Sequence, residues 1–211
     1  KLFIKIDGVI SNELLSVLKT YENDPKISVT SRENNKGLAV SLNELIELVL
    51  KENCYDFIAR MDSDDISSLD RFEQQIVFMQ NNPNIDVVGA FCREFGSKFA
   101  LDIKTVPLRH EQLIDYTVYK CPFIHPTVVF RTCVFSNGIR YPIETNLSVD
   151  LALWFTLLME GYRFANINKV LLHYRINAST LSRRTGWNKA VSEIKLRANF
   201  AVKMKKYSPR I

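Results

Sequence analysis

Three features of this 211-residue chain predict an α/β fold, a mostly parallel sheet flanked by helices. Short β-type runs alternate with longer runs of helical spacing through residues 1–91. Turn-forming Gly, Pro, Asn and Asp separate those runs. Hydrophobic residues make up 46% of the chain, enough to bury the core of one domain. No apolar run reaches the roughly 18 residues that a spanning helix needs.

Residues 2–6 (Leu-Phe-Ile-Lys-Ile) read as the first strand. No initiator Met or signal peptide precedes it, so the sequence is expected to lie inside a longer protein. Residues 12–21 carry Leu14, Leu15, Val17 and Leu18 at helical spacing, and 27–30 form a short strand. Residues 38–51 are a second helix, with Leu38, Leu42, Leu45, Ile46, Val49 and Leu50 on one face. Residues 56–60 form a strand. The next helix takes Ser68 as N-cap, runs through Phe72, Ile76 and Met79 to Asn82, and stops at Pro83. Residues 85–91 read as a buried strand. This βαβαβαβ order argues for parallel strands under helices.

The pattern loosens after residue 92. A strand at 127–131 follows the loop 121–126. A helix over 147–160 turns Leu153, Trp154, Leu157 and Leu158 inward and ends at Gly161. Residues 164–167 and 170–174 are short strands, and Trp187–Tyr207 a long basic helix. No repeat or low-complexity tract appears. The expected organisation is a body over 1–182 with a basic helix, 183–211, packed on it or extending from it.

Cys54, Cys92, Cys121 and Cys133 form no C-x-x-C pair, which predicts reduced thiols in a cytoplasmic protein. With only three His, a zinc site is not expected. The net charge of +5 is uneven: residues 183–211 carry +8 and residues 1–182 carry −3. A basic tail of this kind suits an anionic partner. An anionic membrane surface is one candidate, with Trp187 as an interfacial anchor. Nucleic acid is not expected, because no nucleic-acid motif surrounds the basic residues.

The densest chemical signal is Met61-Asp62-Ser63-Asp64-Asp65, three carboxylates at the end of a strand. Like charges this close repel, and a cation relieves the repulsion. Carboxylate oxygens suit Mg²⁺ or Mn²⁺, and such ions suit a diphosphate. In open α/β sheets ligands bind at the carboxyl ends of strands. Asp7-Gly8, after the first strand, is therefore expected on the same rim as Asp62–Asp65.

Several ordered blocks resemble family 2 glycosyltransferases of the GT-A fold. They are Arg32 to Asn43 with Lys36-Gly37, Phe57 to Ile66 with its D-x-D, and Arg71-Phe-Glu-Gln-Gln. Asn82 to Gly89, Ile124-His125-Pro to Arg131, Val149-Asp150-Leu-Ala-Leu-Trp154 and Val170 to Arg175 complete them. The resemblance covers about residues 3–176 and is nearest to bacterial enzymes building capsule, exopolysaccharide or O-antigen.

The resemblance implies Asp7, Arg32 and Asp62 at the nucleotide, and Asp64 with Asp62 at Mg²⁺ or Mn²⁺. It implies Asp150 as general base of an inverting transfer from a nucleotide-sugar, expected to be a UDP-sugar, to a glycan or polyprenyl-diphosphate-linked hydroxyl. His125 and Asp65 are candidates for acceptor contact or for supporting the metal loop. The protein is then expected in the cytoplasm, at the inner face of the membrane. Val149 stands where the family has Glu, and Glu144 is the nearest alternative carboxylate. The family's first strand and base-binding P-x-Y-N loop have no counterpart after Lys1 and are expected upstream. Two other readings are a non-catalytic nucleotide- or glycan-binding module and a sugar-phosphate nucleotidyltransferase. The latter would need a Gly-rich phosphate loop.

Overall fold

In the computed structural model, which describes residues 1–144, 148–177 and 187–207, β1 (Leu2–Asp7) and β2 (Ile27–Arg32) pair in parallel. Asp7 at the end of β1 thereby lies opposite Arg32 at the end of β2. The crossover is α1 (Asn12–Lys19), whose N-cap Ser11 accepts a hydrogen bond from Leu14 N. α2 (Leu38–Glu52) follows and stops where Asn53 takes a left-handed conformation (φ 48°). Ala39, Ile46 and Val49 of α2 are buried, whereas Leu38, expected on that face, is half exposed at the first turn.

The remaining strands form a second sheet in the order β3-β6-β5-β7-β4. They are β3 (Phe57–Ala59), β4 (Ile66–Ser67), β5 (Val87–Phe95), β6 (Val129–Arg131) and β7 (Phe164–Arg175). α3 (Arg71–Asn81) joins β4 to β5. α4 (His110–Thr117) and a single 3-10 turn (His125–Thr127) lie between β5 and β6. α5 (Cys133–Ser136) and α6 (Val149–Met159) lead to β7, and α7 (Trp187–Tyr207) is last.

The α/β class with a sheet flanked by helices holds, and antiparallel pairings join the two long parallel ladders. Among the described residues, β1–β2 and β5–β7 run parallel, and β3–β6, β5–β6 and β4–β7 are antiparallel. Strand direction depends on where each connection leaves the chain, which hydrophobic periodicity does not encode. After β5 the chain turns back beside it, with Lys104 bridging Cys92 antiparallel, and reaches β6 from the opposite end. The two strands expected at 164–167 and 170–174 are one strand. β7 stays paired with β5 across an irregularity at Ala90/Phe91, where Ile167 and Val170 are successive partners.

Two helix starts rest on other bonds than an N-cap side chain, and the first differs from expectation. α3 starts at Arg71, and Ser68 lies in the preceding turn, its carbonyl accepting from Arg71 N. Ser148 makes no side-chain cap on α6; its hydroxyl donates to Glu193 of α7 instead. The expected start of α6 at 147 and the boundary after 182 fall outside the described residues.

The main core centres on Trp154 of α6, fully buried as expected. Its ring meets Phe123, Phe130 and Phe164 at 4.8–6.1 Å between centroids. α7 closes this core: Leu196 packs against it and Phe200 stacks on Phe155 at 4.2 Å. Gly89 in β5 has a packing reason. A Cβ there would collide with Asn166 Oδ1 and lie 2.7 Å from Phe123 Cδ1. Asn166, thus admitted against the strand, donates to both Pro107 O (2.8 Å) and Pro122 O (3.2 Å). One amide so fixes both ends of the excursion that carries α4.

Candidate active site

The sequence-predicted residues fall into two nodes, one on each sheet. The first is built on the paired ends of β1 and β2. Asp7 Oδ1 accepts from Arg32 Nε (2.6 Å) and Lys36 N (2.8 Å); Oδ2 accepts from Gly37 N (2.9 Å) and faces Ser41 Oγ (3.0 Å). The Arg32 guanidinium also donates to Glu44 (2.6 Å) and to Ser41. Arg32 first, then the Lys36 amide and Ser41 hydroxyl, hold the Asp7 carboxyl well below its ordinary range, against the opposing effect of burial. A carboxylate offers about four lone-pair sites, and here protein donors meet all of them. Asp7 and Arg32 thus fasten the loop that starts α2, with Gly37 at φ 89° making the turn into the helix.

The second node begins where β3 ends. Arg60, only 6% exposed, forks onto Asp62, with Nη2 at 2.5 Å from Oδ1 and Nη1 at 2.8 Å from Oδ2. Such a bidentate pair fixes the carboxylate's plane as well as its charge. Asp64 is exposed. Asp65 is 8% exposed; its Oδ1 accepts from Arg175 N at 2.8 Å and its Oδ2 is buried without a protein partner. Arg175 also donates from Nε to Asp64 O (2.9 Å) while its guanidinium lies over Phe95 at 4.5 Å. β7 therefore holds the acidic loop from one side.

Arg71 holds it from beneath. Fully buried, it donates to Arg60 O (2.8 Å) and to Gln75 (2.9 Å), and Gln75 donates to Thr127 O (2.7 Å). Burial lowers the Arg71 pKa to about 10. Burial first, then the negative charges of Asp62 and Asp64, push Asp65 up to about 6, against the Arg175 amide.

This loop suits a divalent cation on its own chemistry. Asp62, Asp64 and Asp65 each offer an oxygen within 4.8 Å of the others. All are hard donors, and the orphaned Asp65 oxygen is a buried polar atom that lacks a partner.

Beside the loop lies a second group. His125 Nε2 and Tyr141 Oη are 3.0 Å apart, and the His125 ring packs edge-on against Trp154 at 5.8 Å. Burial, with Arg60 adding to it, holds the imidazole pKa well below its ordinary value, so His125 stays neutral. Burial likewise raises the Tyr141 phenol, which also senses the charges of Arg60, Asp150 and Asp62. Asn43 of α2 fixes Tyr141 through both backbone groups, donating to its O (2.9 Å) and accepting from its N (2.8 Å). Asp150 sits in the first turn of α6, where its Oδ1 accepts from Leu151 N (2.9 Å) and its Oδ2 from the Cys121 thiol (3.5 Å). Burial, then Asp150, raises the Cys121 pKa well above its ordinary value, so it is a thiol donor.

The structure thus brings Asp62, Asp64, Asp65, His125 and Asp150 into one neighbourhood, linked by Arg60 and Tyr141. Asp7 and Arg32 share no contact with it among the described residues. His125 makes no hydrogen bond to Asp62, Asp64 or Asp65 among them either; its partner is Tyr141. Glu144 is exposed. Sequence reasoning missed Arg60, Arg71, Arg175, Tyr141 and Cys121. A usable signal existed for Arg60, a cation one residue from the acidic run at a strand end.

Comparison with known proteins matches the same elements. The profile of glycosyl transferase family 2 covers residues 3–143. The UDP-Gal:alpha-D-GlcNAc-diphosphoundecaprenol beta-1,3-galactosyltransferase of Escherichia coli is 34% identical over 92% of this chain and 69% of its own length. The amylovoran biosynthesis glycosyltransferase AmsE of Erwinia amylovora is 31% identical over 90% of this chain and 70% of its own. In three dimensions, S. aureus TarS 1-349, solved with UDP, superposes with a TM-score of 0.63 at 16% identity. That match covers 97% of this chain and 62% of TarS 1-349, so the chain spans less than two thirds of that protein. With the profile match reaching from β1 to the Tyr141 segment, the chain belongs to glycosyl transferase family 2.

Proposed function

We propose that this chain carries the catalytic body of a metal-dependent, inverting glycosyltransferase. It moves a sugar from a nucleotide-sugar, a UDP-sugar in this reading, to a hydroxyl of a glycan or polyprenyl-diphosphate-linked acceptor in surface polysaccharide synthesis. The observation that carries the reading is the acidic loop with its orphaned Asp65 oxygen, near enough to Asp150 that the Tyr141 phenol senses the charges of Arg60, Asp150 and Asp62 together.

Asp64, with Asp62, would hold Mg²⁺ or Mn²⁺ against the donor diphosphate. When bound, such an ion supplies a Lewis acid for the departing nucleotide. Asp150 receives the proton of the acceptor hydroxyl as that oxygen attacks the anomeric carbon from the face opposite the leaving group. Cys121 donates to one oxygen of Asp150 and sets the direction of its carboxylate. The neutral, buried His125–Tyr141 pair adds no charge beside the loop and the base. Asp7 and Arg32 serve the nucleotide by fixing the 33–37 loop. The work is done in the cytoplasm, at the inner face of the membrane.

Titration of the full chain with UDP, with and without Mn²⁺, tests the metal assignment. Binding tightens with Mn²⁺, and Asp64→Ala abolishes the tightening; equal binding with and without metal rejects it. Asp150→Asn lowers transfer by about 10²–10⁴-fold and leaves UDP binding intact. Turnover of that variant at the parental rate rejects Asp150 as the base.

A further inference from the structure

α7 (Trp187–Tyr207) has two faces of opposite character. Its inner face is fastened to the body. Arg197 donates to Thr117 O at the end of α4 (2.7 Å), Glu193 accepts from Ser148, and Phe200 is buried on Phe155. Its outer face carries Trp187, Val191, Ile194 and Val202, exposed by 88%, 44%, 65% and 63%. Spacings of four, three and eight residues place these on a single stripe at 3.6 residues per turn, about 22 Å long. Exposed Ala198 fills the gap in the stripe, and exposed Lys195 flanks it. The exposed run Val118-Tyr119-Lys120 leaves α4 directly after Thr117, the residue that Arg197 grips. Apolar and aromatic groups thus lie beside cations on one side of the molecule. Among the described residues, no helix is long and apolar enough to cross a membrane.

We propose that this outer face of α7, with Val118–Lys120 at its edge, is a docking surface for an anionic lipid membrane. An aromatic at one end, an aliphatic stripe and flanking lysines are what an in-plane interfacial helix needs. Charge selects the occupant: exposed Lys195 and Lys203 lie on α7, Lys120 lies at its edge, and the sequence 183–211 has nine Lys/Arg against Glu193 alone, a balance that repels another copy and attracts acidic headgroups. The inner-face attachments give docking a consequence. Ser148, held by Glu193, is two residues from Asp150, so a docked α7 fixes the distance of the candidate base from the lipid surface. The lipid-linked acceptor in this picture rests on the transferase reading; the surface itself does not.

The two tryptophans make the test direct, because Trp154 is fully buried and Trp187 is exposed. Full-length chain is mixed with vesicles of phosphatidylcholine containing phosphatidylglycerol, or of phosphatidylcholine alone, without nucleotide. The expected result is co-sedimentation with anionic vesicles and a blue shift of Trp emission that Trp187→Phe removes. Binding weakens with added salt and falls at least about ten-fold in Ile194→Ser/Val202→Ser and in Lys195→Glu. Equal binding to neutral and anionic vesicles, or none to either, overturns the proposal. So does Trp187 emission that is blue-shifted before vesicles are added, which means protein already covers the stripe. A dimer that these substitutions dissociate also overturns it, by assigning the stripe to a second copy. UDP binding measured on the same samples separates failure of this surface from failure of the transferase reading.

Discussion

Asp7 and the Asp62–Asp65 loop are both acidic strand ends, and they differ in what the protein leaves undone. At Asp7, protein donors meet every lone pair, and the carboxylate's work is to fasten a loop. At the acidic loop, one carboxylate is forked by Arg60, one is exposed and one keeps a buried oxygen without a partner. A saturated carboxylate stabilises; an unsaturated cluster is prepared for something that the chain does not contain. Chemical type is the same at both, so the accounting of donors is what separates anchor from ligand.

Exchanging the two roles is the strongest way to break this comparison. Asp64→Ala lowers transfer by about 10³-fold, roughly 4 kcal/mol of barrier, and removes the Mn²⁺ response of UDP binding. Asp7→Ala keeps the Mn²⁺ response while loosening the 33–37 loop, seen as faster amide exchange there. Loss of the Mn²⁺ response in Asp7→Ala would erase the distinction. Next in size is the support below the loop. Arg71→Met destabilises by about 3–5 kcal/mol in denaturant unfolding, because it strips donors from buried acceptors at Arg60 O and Gln75. Unfolding at the parental midpoint would show that Arg71 does not brace the loop.

Arg60 sharpens the comparison further. Freed from its fork, Asp62 gains lone pairs for a cation. Arg60→Gln therefore binds Mn²⁺ without nucleotide about ten-fold more tightly, about 1.4 kcal/mol, as read from the free Mn²⁺ signal in electron paramagnetic resonance. Weaker binding would mean that the fork organises the site instead of occupying it. The smallest effect is in pH. Asp7 has a depressed pKa in the fold, so its contribution is complete above its unfolded value of about 4 and disappears as pH falls through the folded one. The melting difference between the parent and Asp7→Asn is therefore constant near neutrality and narrows below about pH 4.

Much of the first half of the fold was legible. α1, α2 and α3 each carry an apolar face at helical spacing, and β1, β2, β3 and β5 are short β-type runs between turn residues. The antiparallel pairings were not, because the entry of β6 is decided by the return of the chain beside Cys92. α4 went unread because its apolar residues are few: Leu113 and Thr117 are its buried positions. At the site, Asp62, Asp64 and Asp150 announce themselves through chemistry and motif. Arg60, Arg175 and Tyr141 do not, since a guanidinium or phenol gains its role only from partners distant in sequence. Asn43 shows the same limit: it lay within a recognised block, yet its two bonds to Tyr141 span 98 residues.

The Asn166 amide has a consequence for how this scaffold can vary. By holding Pro107 and Pro122 at once, it separates the segment between them, α4 included, from the register of Phe123 and His125 just beyond. The segment from 108 to 120 is a cassette clipped at both ends, with Cys121, the donor to Asp150, outside it. Its length and sequence can be exchanged while the chemistry stays in place, provided that residue 89 remains glycine and residue 166 asparagine.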